Sequence, residues 1–140
     1  MNILFLQGPN LNLIGLKSSQ INDNITLDKI NKHIKKVSKS FNSETKILQT
    51  HKSFKAINFL QRNRAWTDGI IIIPTSWGRY NYDILETIEV LKIKTIAIYF
   101  EKKYSFGTNL KDSILLSKNI KSFSGEPYTV CTNAFKFLHS

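Results

Sequence analysis

Three histidines, one cysteine and a cluster of aromatic, amide and cationic side chains hold most of the chemistry open to these 140 residues. An imidazole suits proton transfer because it titrates near neutrality. His33 falls within an amphipathic stretch and His139 at the terminus. His51 follows an apolar segment and is the one histidine placed to approach a ligand; a solvated loop histidine is the plainer reading. Cys131 has no histidine near it in the pattern to draw off its proton, so it reads as a buried structural thiol. Tyr80, Tyr82, Tyr99 and Tyr104 gather in the second half of the chain. A tyrosine beside Lys17 or Arg79 could have a lowered pKa and serve as a base; the alternative is that these rings pack or hydrogen-bond at a contact. The hexapeptide Trp77-Gly78-Arg79-Tyr80-Asn81-Tyr82 interleaves aromatic groups with Arg and Asn, which suits an interface anchor or a pocket lining. With one cysteine and three histidines, no structural zinc site is expected, and Gly8 and Gly15 form neither a dinucleotide nor a P-loop pattern. No metal and no cofactor is expected.

The charge is unusual. Twenty Lys and Arg against ten Asp and Glu give a net +10, which favours an anionic ligand or a nucleic acid. Seventeen of the twenty cations are lysines, and with Ile and Asn also abundant, AT-rich codon usage is the favoured explanation. Hydrophobic residues make up 41% and charged residues 21%, ordinary for a globular protein and unlike a disordered one. The apolar run near the N-terminus is short and stops at Gly8-Pro9, too brief for a signal peptide or a membrane span. The expectation is a soluble protein of the cytoplasm or an organelle interior, with no membrane association.

The elements that would position these groups alternate. Asn2–Gln7 reads as a buried strand ending in a Gly-Pro turn. Thr26 caps a helix to about Phe41, with Leu27, Ile30, Ile34 and Val37 on one face. Thr45–Thr50 is a second strand, and Ser53 opens a second helix with Phe54, Ile57 and Leu60 aligned. Four consecutive isoleucines in Gly69–Pro74 suit a strand covered on both faces. A helix over Tyr82–Leu91, a strand over Lys94–Phe100, a short helix around Asn109–Leu116, a strand over Asn119–Ser124 and a helix from Pro127 to Leu138 complete the pattern. Repeated βα units predict one α/β domain over residues 1–140 with a parallel sheet. Ligands then bind beyond the carboxyl ends of the strands, at the loops after Gln7, Thr50, Ile73 and Phe100.

The stretch Gln7-Gly8-Pro9-Asn10-Leu11-Asn12-Leu13-Ile14-Gly15 resembles the opening signature of the type II 3-dehydroquinate dehydratases, lyases of the shikimate pathway. Thr26-Leu27, Gln49-Thr50, Asp68-Gly69-Ile70 and Ser124-Gly125 fall at matching intervals. The resemblance implies a flavodoxin-like three-layer α/β sandwich, a five-stranded parallel sheet of order 2-1-3-4-5, and trimers grouped into a dodecamer. It also implies a mechanism: a tyrosinate activated by an arginine removes the proton alpha to a ketone, a water held by an asparagine stabilises the enolate, and a histidine oriented by a glutamate protonates the departing hydroxyl.

Few of those groups are present. Aligned on the signature, Asn10 is retained, Lys17 falls at the activating arginine and Asn22 at the tyrosine base; an amide has no accessible basic pKa. Ala97 replaces the orienting glutamate and Tyr99 the acid histidine. Among substrate-binding positions, Ile73 replaces an asparagine and Arg79 a histidine. Glu101-Lys102 replace a Ser-Asn pair that helps hold the substrate carboxylate and hydroxyls, Phe106 stands where a second arginine belongs, and Phe100 is a further substrate-binding position. Trp77, Tyr80, Tyr82 and Glu86 are the candidate interface, with Glu86 at the position that reaches a neighbouring subunit. The expected function is therefore a homologue with a degraded active site, a pseudoenzyme acting as a subunit or regulatory partner. The alternatives are a divergent active dehydratase and a basic nucleic-acid-binding protein. Self-association as a dimer or trimer, or entry into a hetero-complex, is favoured over a dodecamer, because twelve copies at +10 repel one another.

Overall fold

The central strands form where the sequence is apolar enough to be covered on both sides. The computed structural model describes residues 1–140. Strands β1 (Asn2–Gln7), β2 (Glu44–Gln49), β3 (Gly69–Ile73), β4 (Thr95–Phe100) and β5 (Ile120–Gly125) make one sheet in the order β2-β1-β3-β4-β5. All four pairings are parallel, beginning with Asn2 opposite Glu44, Ile3 opposite Gly69, Ile70 opposite Thr95 and Thr95 opposite Ile120. The sheet is the flavodoxin-like one that the resemblance implies. The isoleucine strand β3 is buried along its whole length, as is β4. The edge strands β2 and β5 are only partly covered, and charged Lys46 and Lys121 lie on them, the usual protection of an open edge.

Helices cover both faces. On one side, α2 (Leu27–Ser40) and α6 (Pro127–Leu138) pack over Ile3, Phe5, Ile71, Ile73, Ile96 and Ile98. On the other, α3 (Ser53–Arg62) and α5 (Tyr82–Leu91) cover Leu4, Leu6, Ile70, Ile72 and Ala97. The alternation of the strand side chains supplies these two half-cores. Thr26 caps α2, its Oγ1 accepting the Lys29 N–H at 3.2 Å. Pro127 sits at the start of α6, and Glu126 caps it by accepting the N–H groups of Tyr128 and Thr129. Cys131 is fully buried and burial pushes its thiol pKa up, so it is inert packing.

Several expectations need correction. Two helices carry no apolar stripe long enough to predict: α1 (Ile14–Gln20) and α4 (Trp77–Tyr80). The α1 stretch buries only Ile14 and Ser18, too few for a 3.6-residue periodicity. The helix expected around Asn109–Leu116 is a single 3-10 turn over Leu110–Asp112. Phe54 is 58% exposed, because α3 turns Ala56 and Leu60 to the core instead.

Candidate functional site

The loop leaving β1 is fixed by backbone contact with β3. Gly8 N–H donates to Ile73 C=O at 2.8 Å. A Cβ on Gly8 would lie 2.2 Å from the Pro74 carbonyl oxygen, so only glycine fits. Two residues on, Asn10 takes the left-handed conformation (φ 68°), which asparagine tolerates. Its backbone N–H donates to Nδ1 of His51 at 3.2 Å, which leaves the proton of a neutral His51 ring on Nε2. Asn10 and His51 are both exposed. Thus the retained asparagine and the one histidine placed near the rim do meet.

The other expected mouth residues do not converge. Lys17, half-buried on α1, has its Nζ 5.9 Å from the ring centre of Phe106, a cation–π contact. Asn22 is exposed in the left-handed turn after α1 (φ 57°). The neighbouring Asp23 accepts a 2.5 Å hydrogen bond from the Tyr104 hydroxyl, joining the α1 turn to the loop after β4. That bond pushes Tyr104 up to about 12 and holds the Asp23 carboxyl below its ordinary value. Both effects stabilise phenol over tyrosinate, the opposite of what a tyrosine base requires. The sequence contained no sign of this pair, since the partners are 81 positions apart in two irregular loops.

Tyr99 also departs from its expected place at the mouth. It is buried at 3% exposure, and its hydroxyl donates to Ser113 Oγ at 2.6 Å. Burial, first of all, raises its pKa. On β4, Tyr99 shares the alternation of Ala97 and so points into the α3–α5 half-core. Ala97, Ile73 and Phe100 are likewise core residues, and Phe106 packs on the edge of the α2–α6 half-core. Trp77, expected as an exposed contact, is 2% exposed inside the chain: the short α4 turn folds it inward into the α3–α5 half-core. Those two rings, 76% and 63% exposed, remain on the outside with Arg79 and Glu86. Glu101 is exposed and accepts the Ser124 hydroxyl at 2.5 Å. His33 binds Tyr128 C=O and Thr132 Oγ1 and links α2 to α6, while His139 contacts Ser43 Oγ.

The loop after β4 lies directly on the loop after β3. Thr108 N–H donates to Thr75 C=O at 3.0 Å, and Thr75 Oγ1 donates to Pro9 C=O at 2.8 Å. Gly107 (φ 72°) approaches so closely that a Cβ would stand 2.4 Å from the Thr75 carbonyl carbon. Two buried polar atoms at this end of the sheet, Gln7 Oε1 and Thr108 Oγ1, lack a protein partner, and each is a place for an ordered water. Residues 1–136 match the family Dehydroquinase class II. The chain belongs to that family. A 3-dehydroquinate dehydratase of Clostridium botulinum strain Hall is 28% identical to this dehydroquinase homologue over 137 residues, covering 98% of this chain and 93% of the relative. The enzyme of the same name from Thermoanaerobacter pseudethanolicus is 27% identical over 139 residues, 97% of this chain and 94% of the relative. Among solved structures, the type II dehydroquinase of Butyrivibrio crossotus superposes with a TM-score of 0.84 at 24% identity, covering 100% of this chain and 98% of the other. At that identity the superposition speaks for the fold alone.

Proposed function

We propose that this dehydroquinase homologue has lost the dehydration chemistry and works through its surface, as a subunit or regulatory partner built on one domain of residues 1–140. The observation that carries this reading is the state of the tyrosines. Asn22 stands at the base position, the nearby Tyr104 is held as a neutral phenol by Asp23, and Tyr99 at the acid position is buried on Ser113. General acids and bases contribute about a hundred- to ten-thousand-fold each, so losing both leaves little of the rate. Exposed Tyr80, Tyr82, Arg79 and Glu86 form the surface proposed for self-association as a dimer or trimer, or for a hetero-complex.

A divergent 3-dehydroquinate dehydratase, the activity its relatives are named for, is the second reading. One contact favours it: His51 beside Asn10 offers a protonated Nε2 at the rim. The experiment is an ultraviolet assay of the purified protein with 3-dehydroquinate, following the conjugated enone of the product. We expect none. Turnover above background that disappears in both Asn10→Ala and His51→Gln overturns the pseudoenzyme reading. Asn22→Tyr with Lys17→Arg is expected to leave activity absent, because Ala97, Tyr99 and Phe106 still occupy their positions.

A further inference from the structure

The end of the sheet opposite the Asn10 loop holds a second concave feature. The chain turns from α5 into β4 and from the preceding loop into β5 side by side, because Thr95 pairs with Ile120. Lys92 and Lys94 flank the first turn, and Lys118 and Lys121 flank the second. All four are exposed and line one cleft of about 360 Å³, together with Thr95, Asn119, Ile120 and Phe137. At ~30 Å³ per water, the space holds about a dozen waters.

The backbone under these lysines is fixed. The Asn119 side chain donates to Ile88 C=O and Ile93 C=O at 3.2 and 3.1 Å, and Thr95 N–H donates to Asn119 C=O at 2.9 Å. Phe137 forms one wall, with Lys94 Nζ 4.7 Å from its ring centre, and is itself braced edge-on by Phe123. No acid neutralises the group: the chain's one ion pair is Lys32–Asp28, on α2. Half of the residues lining the cleft are lysines and none is a carboxylate. Four lysines along one hollow with no acid among them make it cationic, and a compact anion of high charge is what such a hollow attracts.

We propose that this cleft binds a compact oligophosphate, an anion whose several adjacent charges suit a hollow lined by four lysines and no carboxylate. A nucleic-acid strand fits less well. It would need an extended basic stripe with stacking or bidentate groups, whereas these lysines line a single hollow. Lys94 already covers the face of Phe137, and the chain's three arginines, Arg62, Arg64 and Arg79, lie outside the cleft. The site is separate from the Asn10 mouth and does not depend on whether that mouth is active.

The test is calorimetric titration of the full chain with sodium tripolyphosphate at low salt. The expected result is saturable binding of one anion per chain, weakened by added salt. The pair Lys118→Gln and Lys121→Gln should weaken it roughly tenfold or more, since a charge-assisted contact is worth about that factor. Lys118→Arg with Lys121→Arg should retain it. The control pair Lys35→Gln and Lys39→Gln, in another basic hollow on α2, should leave it unchanged. All these residues are exposed, and circular dichroism verifies that each variant is folded. Absence of saturable binding overturns the proposal, as does equal loss in both Gln pairs, which would mean diffuse charge. A short single-stranded oligonucleotide that binds more tightly than tripolyphosphate and loses affinity in Lys118→Gln/Lys121→Gln also overturns it, in favour of a nucleic-acid surface.

Discussion

Replacing Asp23 by Asn should release the Tyr104 phenol. In the native protein the Asp23 hydrogen bond, with smaller contributions from desolvation and the charges of Asp23 and Glu126, takes Tyr104 from 10.0 up to about 12. A pKa of about 12 leaves roughly one molecule in 10⁵ as tyrosinate at pH 7, against about one in 10³ for an ordinary phenol. Tyr104 is thus about a hundredfold further from acting as a base than an unassisted tyrosine. The difference is easiest to see at about pH 10.5, where the native phenol is roughly 3% ionised and a freed one about three quarters ionised. Tyrosine labelled with carbon-13 at the ring carbon bearing the hydroxyl resolves the site by NMR, and Tyr104→Phe assigns the signal. The expected result is a native Tyr104 that stays protonated at pH 10.5 and an Asp23→Asn protein whose phenol titrates clearly lower, back toward 10. A native Tyr104 half-ionised at or below pH 10 refutes the reasoning, and with it the main support for the loss of catalysis.

The same pair predicts a pH dependence of stability. The lowered Asp23 pKa contributes above the unfolded value of 3.8 and is lost as pH falls through the folded value, while the raised Tyr104 pKa contributes below 10 and is lost between 10 and about 12. The gap in urea midpoint between native and Asp23→Asn proteins should therefore be flat from roughly pH 5 to 9 and close on both sides. Gly107→Ala must place a Cβ 2.4 Å from the Thr75 carbonyl carbon in a left-handed residue; crowding and conformation together should cost about 2–5 kcal/mol. Gly125→Ala meets Val130 at 3.5 Å and should stay within about 0.5 kcal/mol, both read by denaturant titration. Trp77→Ala opens a cavity in the core and should lower stability by about 3–5 kcal/mol. Tyr80→Ala with Tyr82→Ala should keep the melting temperature while reducing any association seen by light scattering; unchanged association removes that surface from the proposal.

The centre of the sheet was readable because β1, β3 and β4 are short apolar runs, and β3 is four isoleucines after a glycine. The run Ile70–Ile73 has no other way to hide four side chains than a strand with a helix on each face. Helices α2, α5 and α6 were readable from their buried stripes and from Thr26 and Pro127 at their starts. Helix α1 was not, since polar Lys17, Ser19 and Gln20 crowd a stretch in which tertiary contacts with Thr26 and Ile25 decide the conformation. At the candidate site, matching positions told which residue replaces which, but not where each points. Strand alternation sends Tyr99 inward, and α4 does the same to Trp77. The Asp23–Tyr104 bond and the stacking of Gly107 on Thr75 join loops far apart in sequence, where no local pattern records the partner.

The placement of β1 beside β3 sets a schedule for synthesis. Ile3 pairs with Gly69, a separation of 66 residues, and β2 on its other flank begins 42 residues after Asn2, at Glu44. A ribosome adding ~5–20 residues per second delivers β3 roughly 3–13 s after β1. For that interval Ile3, Leu4, Phe5 and Leu6, fully buried in the finished protein, have no completed sheet to enter. The nascent chain thus carries an apolar strand without its β3 partner for several seconds, so holding chaperones should engage the segment before Gly8, and chains halted before Gly69 should aggregate.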